Sequence, residues 1–199
     1  MSVTEQYFDE IFRDNNDPWA FKQRWYERRK RALTLAALPR ERYAAIFEPG
    51  CANGELSAGL AERCDHLLCC DTSALAVDLA RERLAPFKHA RVLHARLPQQ
   101  WPEGQFDLIV FSELGYYLDL EDLQRWIDCA LASLKPDGQL LACHWRPEIK
   151  DCPLDAKRVH EVLDERLKMP RLLSHHEDDF LLDLWSHDPA SVATRENLR

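Results

Sequence analysis

The sequence predicts an α/β fold: a doubly wound, mostly parallel sheet of seven strands. Three observations carry this expectation. From residue 45 onward, short apolar runs alternate with segments of helical periodicity, and the links between them are short. The fourth run, at 106–112, is almost continuously apolar, as in strands that a parallel sheet buries on both faces. At 199 residues the chain can bury one sizeable core but not two.

The elements follow in order. Two helices are expected first. One is at 4–15, with Phe8, Ile11 and Phe12 on one face, and one is at 20–37, with Phe21, Trp25, Ala32, Leu33 and Ala36 near helical spacing. Residues 45–48 form a short strand stopped by Pro49 and Gly50. A helix at 55–63 places Leu56, Leu60 and Ala61 together, followed by a buried strand at 66–71 and a helix at 73–84. Strands at 90–95 and 106–112 lead to a helix at 121–134, and Lys135-Pro136-Asp137-Gly138 reads as a turn. A strand at 139–144, a helix at 153–167 and strands at 171–175 and 179–186 complete the set, the last two as a hairpin closing the sheet. One domain is expected over 1–199: N-terminal helices over 1–40, the α/β core over 41–186 and a polar tail over 187–199.

Charge and composition narrow the function. Twenty-six Lys and Arg stand against 34 Asp and Glu, a formal charge of −8. That balance argues against a protein that grips nucleic-acid phosphates. The one basic run, Arg28-Arg29-Lys30-Arg31, reads as a solvated helix face. No apolar stretch is long enough to cross a bilayer, and no basic-then-apolar leader opens the chain, so a cytoplasmic location and no membrane partner are expected. Seven cysteines without a CxxC pair read as small core residues in a reducing compartment, and no metal site is expected.

In a doubly wound sheet, ligands bind beyond the carboxyl ends of the strands. The first such end reads Glu48-Pro49-Gly50-Cys51-Ala52-Asn53-Gly54. Gly50 permits a tight turn and close approach of backbone to a ligand, and Gly54 leads into a helix N-terminus. The next strand ends in Asp71, a carboxylate placed to accept both hydroxyls of a ribose. A nicotinamide dehydrogenase would need G-x-G-x-x-G, whereas positions 50, 52 and 54 are Gly, Ala and Gly.

Together with Asp17-Pro18-Trp19, the segment from Trp25 to Lys30 and the run from Phe106 through Leu118, this loop resembles the class I S-adenosylmethionine-dependent methyltransferases. Within them the chain is most similar to the nodulation protein S type of N-methyltransferase. The resemblance implies a Rossmann-like core with an N-terminal helical lid, S-adenosylmethionine as cofactor and a small polar acceptor, most simply an amine of amino-sugar type. Small-molecule O-methylation, or cofactor binding without catalysis, are the alternatives. The resemblance assigns the cofactor to Glu48, Gly50, Cys51, Ala52, Gly54, Asp71, Thr72 and Ser112. It adds Trp19, Tyr26 and Arg29 from the lid, Arg29 as a cation for the methionine carboxylate. The group often carries an acid after the third strand to meet adenine; Arg96 stands there instead, which leaves adenine to backbone groups of Arg96 and Leu97.

For the chemistry, an amine must arrive neutral, so a carboxylate or histidine within reach helps. Glu113 and His144, at the ends of the fourth and fifth strands, are the candidates. Tyr116, Tyr117 and Trp145 are the expected acceptor contacts, since aromatic faces attract cations. A base-modifying nucleic-acid enzyme would carry a D-P-P-Y-like turn where this chain reads Ser112-Glu113-Leu114-Gly115.

Overall fold

The computed structural model describes residues 1–199 and builds one seven-stranded sheet. The strands are β1 Tyr43–Pro49, β2 Cys64–Asp71, β3 Ala90–His94, β4 Phe106–Ser112, β5 Leu134–Trp145, β6 Arg171–His176 and β7 Phe180–Ser186. They lie in the order 3-2-1-4-5-7-6. The first five are parallel, and β7 runs antiparallel to both of its neighbours. Strand order reverses between β1 and β4, which fixes where a ligand crevice opens.

Seven helices accompany the sheet: α1 Glu5–Asp14, α2 Trp25–Ala36, α3 Glu55–Ala61, α4 Ala74–Leu84, α5 Leu120–Ser133, α6 Ala156–Leu167 and α7 Val192–Arg195. The period-2 alternation of β4 explains why both sheet faces need cover. Leu108 and Val110 pack with α3 and α4, while Ile109 and Phe111 pack with α5 and α6, all four without solvent exposure. Phe111 stacks on Trp126 of α5 at 3.8 Å between ring centres, adding a directed contact to the area buried.

Side chains that accept backbone N–H groups start the later helices. Ser73 caps α4, Asp119 accepts from Asp122 N–H at 2.9 Å for α5, and Asp155 accepts from Arg158 N–H at 2.7 Å for α6. The Asp155 cap explains why α6 starts at Ala156 rather than at 153.

Three other boundaries differ from expectation. Ala20, at φ +56°, breaks the chain direction, so α2 begins at Trp25 instead of 20. The turn at 135–138 lies inside β5: Phe106 pairs with Leu134 and Leu108 with Gln139, so those residues loop out of the ladder as a bulge. The polar tail holds the short helix α7, capped by Ser191. Trp25, expected on the packed face of its helix, is 69% exposed; α2 instead buries Glu27, Lys30 and Thr34. No helix is long and apolar enough to cross a membrane.

Candidate functional site

The loop after β1 is held against the end of β2. Gly50 and Cys51 donate their N–H groups to Cys70 O at 2.8 and 3.0 Å, and Gly50 sits at φ +71°, where a side chain would be strained. Asp71 closes the arrangement: Oδ2 accepts from Ala52 N–H and Oδ1 from Ser73 N–H, both at 2.9 Å. Burial raises the Asp71 pKa, and these backbone donors oppose the rise. Gly54, at φ +79°, starts α3. A Cβ there would lie 3.1 Å from Ala80 Cα, so its role is to let α3 lie close to α4.

Glu48 lies beneath this loop, 3% exposed, with the Cys69 thiol donating to it at 3.4 Å. Burial pushes its carboxyl up to about 7 from an ordinary 4.5. The folded protein therefore keeps this proton up to about pH 7, while the unfolded chain releases it near 4.5. Its contribution to stability is full below pH 4.5 and is lost as pH rises through 7, a change of about 3 kcal/mol. Urea unfolding of the ligand-free protein between pH 4.5 and 8 is expected to show a fall that Glu48→Gln lessens. Parallel profiles for the two proteins would contradict this.

A cavity of about 370 Å³ opens beside the loop, at the carboxyl ends of β1, β2, β4 and β5. The N-terminal segment roofs it with Val3, Phe8, Phe12, Trp19 and Tyr26. Three contacts fasten that roof. Val3 N–H donates to Tyr117 O at 2.8 Å, Ser73 Oγ donates to Asp9 at 2.6 Å, and the Phe8 ring meets Tyr117 edge-on at 4.9 Å.

The wall after β4 is charged. Glu113, at φ +55°, turns its carboxylate to three donors: Lys30 Nζ at 2.5 Å, the Tyr116 hydroxyl, and Trp145 N–H at 3.0 Å. Lys30 also reaches Glu27 at 3.2 Å, so one ammonium serves two carboxylates. Burial would lower the Lys30 pKa, but Glu113 and Glu27 outweigh it, and the amine stays charged. The Lys30 ammonium also lies 5.1 Å from the centre of the Tyr26 ring, and that ring packs edge-on against Trp145 at 5.3 Å.

Most of the residues singled out in the sequence meet here. Trp19, Tyr26, Gly50, Ala52, Asp71, Thr72, Arg96, Leu97, Glu113, Tyr116, Tyr117 and Trp145 line the one cavity. Glu48, Cys51 and Ser112 line a small adjoining one that shares Gly50, Ala52, Glu27, Lys30 and Glu113.

Three expectations need correction. His144 does not reach the cavity: fully buried, its Nε2 accepts from Gly115 N–H at 3.0 Å, so its proton sits on Nδ1 and is donated to His160 Nε2, also at 3.0 Å. His160 Nδ1 in turn donates to Asp183 at 2.6 Å. Burial and then His160 hold the His144 pKa well below the usual histidine range, as a neutral structural link requires. Arg29 points away, in a bidentate pair with Glu177 of the β6–β7 turn at 2.7 and 2.6 Å. Arg96 has no free backbone N–H for adenine, because that N–H donates to Gln100 Oε1 at 2.7 Å, whereas its carbonyl, accepting from Gln100 N–H at 2.8 Å, keeps one lone pair.

Sequence reasoning missed Arg24, Glu27 and Lys30, which line the cavity from α2 and the turn before it. The available signal was the spacing of Glu27, Lys30 and Thr34, one polar stripe on a helix whose Trp25 faces water.

The family profile of Nodulation protein S (NodS) matches residues 7–170. Nodulation protein S of Rhizobium tropici is 32% identical over 128 residues, 63% of this chain and 54% of that protein. Its counterpart in Bradyrhizobium diazoefficiens is 31% identical over 136 residues, 67% of this chain and 65% of that protein. The chain thus spans between about half and two-thirds of the length of these curated relatives. A crystal structure from Pseudomonas syringae, of a protein described as a candidate methyltransferase, is 76% identical. It covers 82% of this chain and 99% of its own, with a TM-score of 0.75. The N-methyltransferase NodS from Bradyrhizobium japonicum, solved with S-adenosylhomocysteine, shares the fold at TM-score 0.80 and 24% identity, covering 92% of this chain and 97% of its own. The fold is therefore that of S-adenosylmethionine-dependent methyltransferases, and by the match over residues 7–170 the chain belongs to the Nodulation protein S family.

Proposed function

We propose that the protein transfers the methyl group of S-adenosylmethionine to the nitrogen of a small polar amine, an amino sugar or a molecule of similar chemistry. The observation that carries this reading is the make-up of the cavity beside the glycine loop. A fixed carboxylate, Asp71, stands at the end of β2, and a charged, aromatic wall of Glu27, Lys30, Glu113, Tyr116 and Trp145 stands beyond β4 and β5. The family relatives supply the reaction class.

The residues present fit the cofactor. Gly50 keeps a side chain off the loop, Asp71 retains lone pairs beyond those used by Ala52 and Ser73, and about 370 Å³ lies in the range of small-molecule pockets. S-adenosylmethionine supplies an electrophilic methyl group on a sulfonium. Asp71 would bind the ribose hydroxyls, and Leu97 N–H, which has no partner within the chain, is the backbone donor left for adenine. Trp19, Tyr26 and Phe8 would exclude water from the reacting groups, and Lys30 is the cation that lines both cavities. Glu113 holds Lys30, Tyr116 and the end of β5 in one arrangement, which orients the acceptor face.

Labelled S-adenosylmethionine offered with a panel of amines, phenols, carboxylates and thiols tests the proposal. Label is expected in amines. Label only in oxygen or sulfur acceptors would overturn N-methylation, and label in tRNA or DNA would overturn the small-molecule reading.

A further inference from the structure

The charged wall carries one more negative than positive side chain, and the surplus sits on α2. Glu27, Lys30 and Glu113 form a contiguous cluster with side chains 10%, 7% and 20% exposed. The two carboxylates are not equivalent. Glu113 already holds three donors, of which Lys30 is the closest at 2.5 Å. Glu27 has a single side-chain donor, the same Lys30, at the longer distances of 3.2 and 3.4 Å. Lys30 thus neutralises Glu113 first, and Glu27, with Arg31 as its one other nearby cation and that guanidinium bonded to Phe21 O, keeps free lone pairs on the cavity lining.

We infer that Glu27, rather than Glu113, receives the acceptor's ammonium group and takes its proton. This rests on the methyl-transfer reading above and adds the residue that prepares the acceptor. In the step, one N–H bond of the ammonium breaks, the proton passes to a Glu27 oxygen, and the electron pair stays on nitrogen as the lone pair the reaction needs. The neutral carboxyl then returns the proton to solvent water at the cavity mouth.

The surroundings suit a carboxylate that must pick up and release a proton. Tyr26, Lys30 and Arg31 face it from its own helix, Glu113 from the loop after β4 and Cys143 from β5. Burial raises the Glu27 pKa above the ordinary carboxylate value, and Lys30 opposes the rise. Glu113, by contrast, could take a proton only by loosening its hold on Lys30, Tyr116 and Trp145, which together set the geometry of the wall.

The test uses glucosamine as a cationic amine probe and N-acetylglucosamine as its uncharged counterpart, each titrated into protein saturated with S-adenosylhomocysteine. Methyl transfer to glucosamine is followed in parallel from pH 6 to 9. Wild-type protein is expected to prefer glucosamine by about ten- to a hundredfold, the scale of a hydrogen bond to a charged group. Glu27→Gln is expected to bind S-adenosylhomocysteine as wild type does and to abolish that preference. It should also lower transfer at pH 7 by about a hundredfold or more, with partial recovery at high pH, where the amine arrives deprotonated. Should the Gln variant fail to bind S-adenosylhomocysteine, Glu27→Asp, which keeps the charge, is read instead and is expected to retain the preference with slower transfer. No preference in the wild type, or a preference and rate unchanged in Glu27→Gln, overturns the assignment. Wild-type protein that binds no S-adenosylhomocysteine overturns the cofactor reading beneath it instead.

Discussion

Asp71→Ala is expected to weaken S-adenosylhomocysteine binding by about 10²–10⁴-fold, read by isothermal titration. Two hydrogen bonds from a ribose to a charged group are worth roughly 1.5–3 kcal/mol each, and removing the carboxylate removes both acceptors. The same substitution frees Ala52 N–H and Ser73 N–H, so the loop after β1 loses its anchor on the end of β2. Asp71→Asn, which keeps one acceptor oxygen, should fall between. An independent change at the loop, Gly50→Val, places a branched side chain at φ +71° and adds strain of about 1–3 kcal/mol. Affinity of Asp71→Ala within about threefold of wild type, with the fold intact by circular dichroism, would remove Asp71 from the ligand site.

Asp183→Ala is expected to be among the most destabilising single changes in the protein. Asp183 lies on β7 with no exposure and accepts from His160, which is joined through His144 to Gly115 N–H. Burial works against its charge, yet the hydrogen bonds from His160 and Ser174 outweigh that and hold its carboxyl low. Truncation leaves His160 N–H without an acceptor inside the core. Losing the two hydrogen bonds from His160 and Ser174 to a charged carboxylate, about 1.5–3 kcal/mol each, costs roughly 3–6 kcal/mol, which for a chain of this size lowers the melting temperature by roughly 6–24 °C. Asp183→Asn retains an acceptor and should lose less. A fall of under about 1 kcal/mol in Asp183→Ala would show that the chain of contacts is dispensable. The consequence for the site is indirect: this chain of contacts ends on the turn that carries Tyr116 and Tyr117, so loosening it should also slow the proposed methyl transfer.

The order of elements, the parallel core and the antiparallel closing hairpin were legible in the sequence because each rests on local patterning. A run such as Phe106–Ser112 has few ways to bury every side chain, and a sheet covered on both faces is the common one. Much of the glycine loop was legible for a similar reason. Positive φ at Gly50 and Gly54, and a carboxylate at the end of β2, are constraints that residue type and position reveal directly.

The charged wall was only partly legible. Its members come from α2, the loop after β4 and the end of β5, and the direction each side chain takes depends on how those elements are docked. At the end of β5, successive residues point to opposite faces, so His144 goes into the core while its neighbour Trp145 lines the cavity. On α2, a step of about 100° separates Lys30, aimed at the site, from Arg29, aimed at Glu177.

By itself, then, the sequence determined the fold, the glycine loop and Asp71, all set by backbone conformation and short-range periodicity. Only the tertiary structure decided that α2 turns its charged stripe inward. Burying Glu27 and Lys30 is tolerable only where another carboxylate waits across the gap, and Glu113 lies 83 residues from Lys30 in the chain.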